Sequence, residues 1–175
     1  YPLRRQRQMC IRDSRYIYSE SRFMLVAITP LSLEQETVFK WLNVKNNSSR
    51  RGNASFNYME LIRSGIKSSS IASFLKHSNL SQKQLSKIIH LSERTLQRNS
   101  PEKLLDLGAS EKLIELCRLF HKGITVFNNK EKLLLWISRP NLPLNNQTPL
   151  ELMETSLGMD IVLDELIKIE QGVFS

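Results

Sequence analysis

The sequence is poor in the side-chain groupings that enzymes and metal proteins depend on. Its only cysteines, Cys10 and Cys117, lie far apart and outside any metal-ligand spacing. That usage suggests a reducing compartment. The three histidines, His77, His90 and His121, have no cysteine or aspartate at ligand distance in the chain, so no metal site is expected. Catalysis needs a nucleophile, a base and a charge stabiliser brought together. No Ser-His-Asp, Cys-His, paired-carboxylate or phosphate-cradling glycine pattern is present, so neither an enzyme nor a cofactor is expected. Long apolar runs are lacking too. Phe23 to Ile28 is the longest near the N-terminus and falls well short of the roughly 20 residues of a membrane span. With no secretory signal visible, a cytoplasmic protein without membrane contact is expected.

What the chain does have is positive charge, unevenly placed. The net charge is +8 over 175 residues. Residues 1–100 hold 17 Lys/Arg against 6 Asp/Glu, whereas residues 101–175 hold 8 against 11. The first part therefore suits a polyanion and the second a neutral or basic partner. A solvated surface with a lopsided charge would give the same counts. Residues 1–14 lack periodicity and resemble a translated sequencing-adapter scar. Excluding them still leaves a net charge of +5.

Residues 80–98 use one local pattern twice. Leu80-Ser81 with Leu85 and Leu91-Ser92 with Leu96 repeat at eleven residues. Each serine is a good helix N-cap, and the flanking leucines have the spacing of a hydrophobic staple. Gln84 completes a capping box with Ser81. Two short helices joined at His90 follow, the layout of a helix-turn-helix. The turn needs a left-handed residue, and His tolerates that conformation better than most. Leu85, Ile88 and Ile89 face inward on the first helix and Leu96 on the second. Arginine and glutamine read bases in the major groove, and hydroxyls bind phosphate. Arg94, Thr95, Gln97 and Arg98 are therefore the expected contacts to base edges and phosphates. Ser81, Gln82, Lys83 and Ser92 are expected on the DNA backbone. One such unit covers a half-site, so tight operator binding implies a homodimer. An ordinary helical hairpin with a solvated basic face fits the same residues.

The remaining segments also read as helical, which makes the expected fold class all-α. Ser32 opens a helix to about Val44, with Leu33, Val38, Trp41 and Leu42 as apolar positions. Residues 45–54 form a polar linker. Short helices are expected over 58–63 and 69–77, and a further short segment over 101–107. Ser110 is expected to cap a helix that Gly123 ends near Lys122. Another helix runs from Lys130 to Ser138, and a loop from Asn141 to Gln147. Thr148-Pro149-Leu150-Glu151 is a strong helix start. After a break at 155–158, a last helix runs from Met159 to Gln171. Its apolar positions include Ile161, Val162, Leu166 and Ile167, and Gly172 follows as a natural C′ residue.

With these segments laid out, residues from about Tyr58 to Ser175 resemble the Xre antitoxins of Xre–RES toxin–antitoxin pairs. The stretches that carry the resemblance are Gly65-Ile66, Leu80-Ser81, Leu91 to Arg98 and Ser110 to Leu113. Val126-Phe127, Trp136-Ile137, Arg139 to Asn141, Thr148 to Leu152 and Ile169 to Phe174 continue it. Each is weak alone; their order over more than half the chain is specific. The sequence departs from the family pattern at His90 and Asn145-Asn146, where glycine is usual, though His and Asn tolerate the same backbone.

The resemblance implies a helix-turn-helix region over about 55–118 that binds the operon's own promoter. It implies an antitoxin domain over about 119–175 that holds a cognate RES toxin and blocks the site where NAD is degraded. Residues 15–54 are then an N-terminal extension and linker. Toxin contacts are expected at Asn141, Leu142, Leu150, Glu165, Glu170, Gln171, Val173, Phe174 and Ser175. Glu170 and the Ser175 carboxylate suit a basic pocket built for pyrophosphate, with Val173 and Phe174 as apolar anchors. A stand-alone transcriptional regulator with a C-terminal dimerisation domain is the alternative, and a helix-turn-helix turned protein-binding scaffold is a third reading.

Overall fold

The computed structural model describes residues 33–44 and 54–173. These residues are mostly helical and contain no sheet. The helices are α1 (33–41), α2 (Ala54–Ser64), α3 (Ser69–Ser78), α4 (Gln82–Ile88) and α5 (Glu93–Arg98). They continue as α6 (Leu107–Phe127), α7 (Lys130–Ile137), α8 (Pro149–Leu152) and α9 (Ser156–Glu170), with a 3-10 turn at Leu142–Leu144. The all-α expectation holds. Residues 1–32, 45–53 and 174–175 lie outside the described residues, and with them the N-terminal scar, most of the linker, Phe174 and Ser175.

The molecule is built around α6. At 1.5 Å per residue its 21 residues span about 31 Å. Ala109, Leu113, Leu116, Cys117, Phe120 and Gly123 are among its buried residues. Helices α2 and α3 pack on it from the N-terminal side, α7 and α9 from the C-terminal side. The buried residues from Val38 to Leu166 form one hydrophobic cluster. A boundary at 118/119 falls inside this helix, so the two expected units share their central element. Helix α9 runs parallel to α6: Lys112 reaches Ser156 near one end and Lys122 reaches Glu170 near the other.

Two sequence expectations about α6 are corrected. The N-cap is Asp106, whose carboxylate accepts from the Ala109 amide at 2.8 Å. Ser110 lies inside the first turn, fully buried, with its hydroxyl accepting from the Ile66 amide at 3.3 Å. Nor does Gly123 end the helix. It is buried where Leu133 of α7 crosses: a Cβ there would sit 2.5 Å from a Leu133 methyl carbon. The helix ends at Asn128, which takes the left-handed conformation (φ 51°).

Leu107 already belongs to α6, and residues 101–106 are not helical. They run back along the α2–α3 connection, with the Leu105 amide donating to Ile66 O and the Ser68 amide to Lys103 O, both at 2.8 Å. Pro101 has no amide hydrogen of its own, but its carbonyl accepts from the Ser69 amide at 3.0 Å. This return segment ties the stretch between α5 and α6 to the α2–α3 connection.

Helix α1 is part of the core. Val38 and Leu42 are fully buried, and Phe39 meets Tyr58 edge to face at 5.9 Å. Trp41 lies over Phe74, His77 and His121. Glu34 pairs with Arg118 of α6 at 2.7 Å, and that guanidinium also covers the Tyr58 ring. Leu33, expected inward, is 60% exposed.

Burial lowers the pKa of His121 below the ordinary imidazole range; Lys122 adds to the effect and Glu34 opposes it. The unfolded chain therefore takes up this proton more readily than the folded one. Stability is expected to fall as the pH drops below about 6.5. Melting curves at pH 7.5 and 5.5 should show the lower midpoint at 5.5, and in His121→Gln that drop should shrink by about 1–2 °C. An unchanged drop in the variant would remove His121 as its cause.

Candidate nucleic-acid and partner-binding interfaces

Local capping creates the helix-turn-helix. Ser81 Oγ accepts from the Gln84 amide at 3.1 Å, and Gln84 Oε1 accepts from the Ser81 amide at 2.8 Å, a reciprocal box. Leu80 and Leu85 are buried across that turn. His90 then takes φ 56°, and the Leu91 amide donates to Ser86 O at 3.0 Å, which closes α4 and redirects the chain. Ser92 caps α5, accepting from the Thr95 amide at 3.0 Å.

No residue of α5 is buried. Leu96 and Leu91 lean against the core while Arg94, Gln97 and Arg98 stand exposed. Positions i, i+3 and i+4 lie on one helical face, so these three side chains form one surface. Neither arginine makes an ion pair among the described residues. Thr95 is half-buried, and its hydroxyl shares a hydrogen bond with Ser92 at 2.8 Å. Ser81 and Lys83 are exposed at the start of α4, with Gln82 half-buried beside them. All eight expected residues thus come from the first turns of α4 and the outward side of α5.

The expected partner-binding residues divide into three groups. The loop 141–147 is rigidly made: Asn145 and Asn146 both take left-handed φ, at 54° and 58°. The Asn141 amide side chain donates to Arg139 O at 2.9 Å and to Trp136 O at 3.3 Å. Asn141 is therefore spent on organising the loop, and Leu142 is presented by it, 75% exposed. Leu150 is half-buried against the core, beyond the Thr148–Glu151 capping box. That box holds the Glu151 carboxyl below the ordinary carboxylate range, chiefly through the Thr148 amide.

A second group closes α9. The Gly172 amide donates to Ile169 O at 3.1 Å and the Val173 amide to Lys168 O at 2.9 Å. This double closure, with Gly172 at φ 71°, is a Schellman motif. It fixes the direction in which the exposed Val173 leaves the helix. Glu170 and Gln171 are exposed there, and Glu170 pairs with Lys122 at 2.6 Å. Glu165 stands apart from both groups: it is only 6% exposed and pairs with Lys168 at 3.3 Å.

Sequence reasoning missed part of this surface. Ile161, read as inward, is 42% exposed, and Leu157 one turn earlier is 71% exposed, on the side of α9 away from α6. Asp160 and Asp164 flank them, also exposed. The i, i+4 spacing of Leu157 and Ile161 was available in the sequence, but Val162 and Leu166 give the same signal for the opposite face.

No cluster of three or more His, Cys, Asp or Glu side chains among the described residues could hold a metal ion. Burial pushes the Cys117 thiol well above its ordinary range, so it stays protonated and unreactive. No helix among the described residues is long and apolar enough to cross a membrane.

Comparison with known families gives two matches along the chain. Residues 58–118 match the Antitoxin Xre-like helix-turn-helix domain. Residues 122–172 match the Antitoxin Xre/MbcA/ParS C-terminal toxin-binding domain. No curated protein matches the chain at a significant level. The two domain matches follow each other along α6 with only residues 119–121 between them, and the chain belongs to the Xre family of antitoxins.

Proposed function

We propose that this antitoxin neutralises a RES-type, NAD-degrading toxin through its C-terminal unit and represses its own operon through the helix-turn-helix. The observation that carries the reading is an exposed Arg94–Gln97–Arg98 surface on α5 in a chain that also matches a toxin-binding domain. Arg94 and Gln97 read base edges, Arg98 and Thr95 add base or phosphate contacts, and Ser81, Gln82, Lys83 and Ser92 anchor the backbone. A homodimer supplies the second half-site.

On the toxin side, Leu142 is an apolar knob on a rigid loop, and Val173 continues from a fixed helix end into Phe174. Apolar anchors flanked by carboxylates suit a basic pocket that otherwise holds a pyrophosphate. The structural elements supporting this are the Schellman closure before Val173 and the exposed Glu170 beside it.

The test is co-expression with the product of the neighbouring gene, followed by co-purification and an assay of NAD consumption. A stable complex with suppressed NAD loss is expected, and removing residues 172–175 should restore NAD loss. Full neutralisation by the shortened chain would rule out the tail as the blocking element. Promoter binding without any partner would leave a plain repressor.

A further inference from the structure

Helix α4 carries two lysines on one face, Lys83 and Lys87, at i and i+4. Both line a cleft of about 320 Å³ whose other wall is α8, with Thr148, Glu151 and Glu154. Across it Lys87 Nζ stands 3.5 Å from Glu154 Oε1, the two side chains 59% and 40% exposed. Lys83, one turn nearer the start of α4, makes no ion pair among the described residues. The lysine row therefore leads from the expected phosphate contacts of Ser81 to Lys83 directly toward an acidic side chain of the C-terminal unit.

We propose that Lys87 is a further phosphate-binding residue of the DNA interface and that Glu154 holds it in reserve. This rests on the DNA reading above. A duplex seated on α5 places its phosphates along the outward side of α4, and Lys83 and Lys87 are successive steps on that side. An ion pair this exposed is weak, so a phosphate competes for Lys87. While it is paired, the Glu154 carboxylate offsets part of what Lys87 contributes. The C-terminal unit thereby sets the strength of DNA binding without touching a base.

Binding of two labelled duplexes tests this by fluorescence anisotropy over roughly 50–200 mM salt. One carries the region upstream of the gene and the other a scramble of it. Glu154→Gln should tighten both about three- to tenfold and steepen the log affinity against log salt slope by about one. Lys87→Gln alone should weaken binding by about twofold, less than Lys83→Gln does, and Lys87→Gln with Glu154→Gln should bind like Lys87→Gln. A gain from Glu154→Gln that survives without Lys87 would reflect overall charge and would overturn the proposal. So would no gain at all, or a loss from Lys87→Gln as large as that from Lys83→Gln. If the wild-type chain binds neither duplex, the DNA reading itself fails and this inference falls with it.

Discussion

Replacing Gly158 by alanine is expected to lower stability by about 3 kcal/mol, a larger loss than any surface change in this chain. An alanine Cβ would lie 1.9 Å from Leu152 O and 2.6 Å from Leu152 C. Leu152 O cannot step aside cheaply, because it accepts from the Thr155 amide at 3.1 Å in the turn between α8 and α9. Gly158 itself sits in the first turn of α9, its amide bonded to Thr155 Oγ1 at 3.0 Å. Relief therefore means moving α9, which holds Met159, Val162 and Leu166 in the shared core. For a chain of this size the melting temperature should fall by roughly 6–12 °C. Gly108→Ala is the control: the nearest atom to its Cβ would be Asp106 Oδ1 at 3.7 Å. There the helix gains from alanine, and stability should rise slightly. Equal melting of Gly158→Ala and wild type would mean that α8 and α9 do not approach as described.

The second large effect is on DNA. With Arg94 and Arg98 both changed to alanine, binding to the gene's own upstream duplex should weaken about 100-fold, since each good arginine contact contributes about 1–3 kcal/mol. The melting temperature should stay within about 2 °C, because both side chains are exposed and no residue of α5 is buried. Toxin neutralisation should survive. Changing both to lysine separates two roles: charge is kept and the bidentate fork is lost, so scrambled DNA should bind as before while preference for the operator falls. Loss of neutralisation in parallel with DNA binding would sink the idea of two separable surfaces.

How much of this was legible beforehand depends on the reach of each signal. The caps at Ser81, Ser92 and Thr148 act within three residues, and each forms the expected bond. The left-handed turns at His90, Asn145 and Asn146 were readable for the same reason. Glycine was not, because one residue type serves two purposes. Gly172 ends a helix as expected, whereas Gly123 and Gly158 lie inside helices where a neighbour comes too close for a side chain. That neighbour is set by tertiary packing, which no local window contains. Ser110 failed similarly: its capping pattern is sound, but Asp106 takes the cap and a distant amide takes the serine hydroxyl.

The interfaces follow the same division. The arginines of α5 announce themselves because the helix is short and its polar face is plain. Leu157 and Ile161 hide among core-like spacing, and the Lys87–Glu154 pair joins residues far apart in sequence. The structure also gives α1 a purpose that composition did not: Val38, Leu42 and Trp41 complete the core ahead of the matched helix-turn-helix region.

Because α6 runs unbroken from the helix-turn-helix unit into the matched toxin-binding domain, the two units share one lifetime. Cutting α6 at its middle would expose Leu113 and Leu116 on one fragment and Phe120 on the other, so neither half is expected to persist alone. If the proposed function holds, a protease that destroys this antitoxin lifts repression and releases the toxin in the same event. On that reading, loss of the protein would itself restart its synthesis.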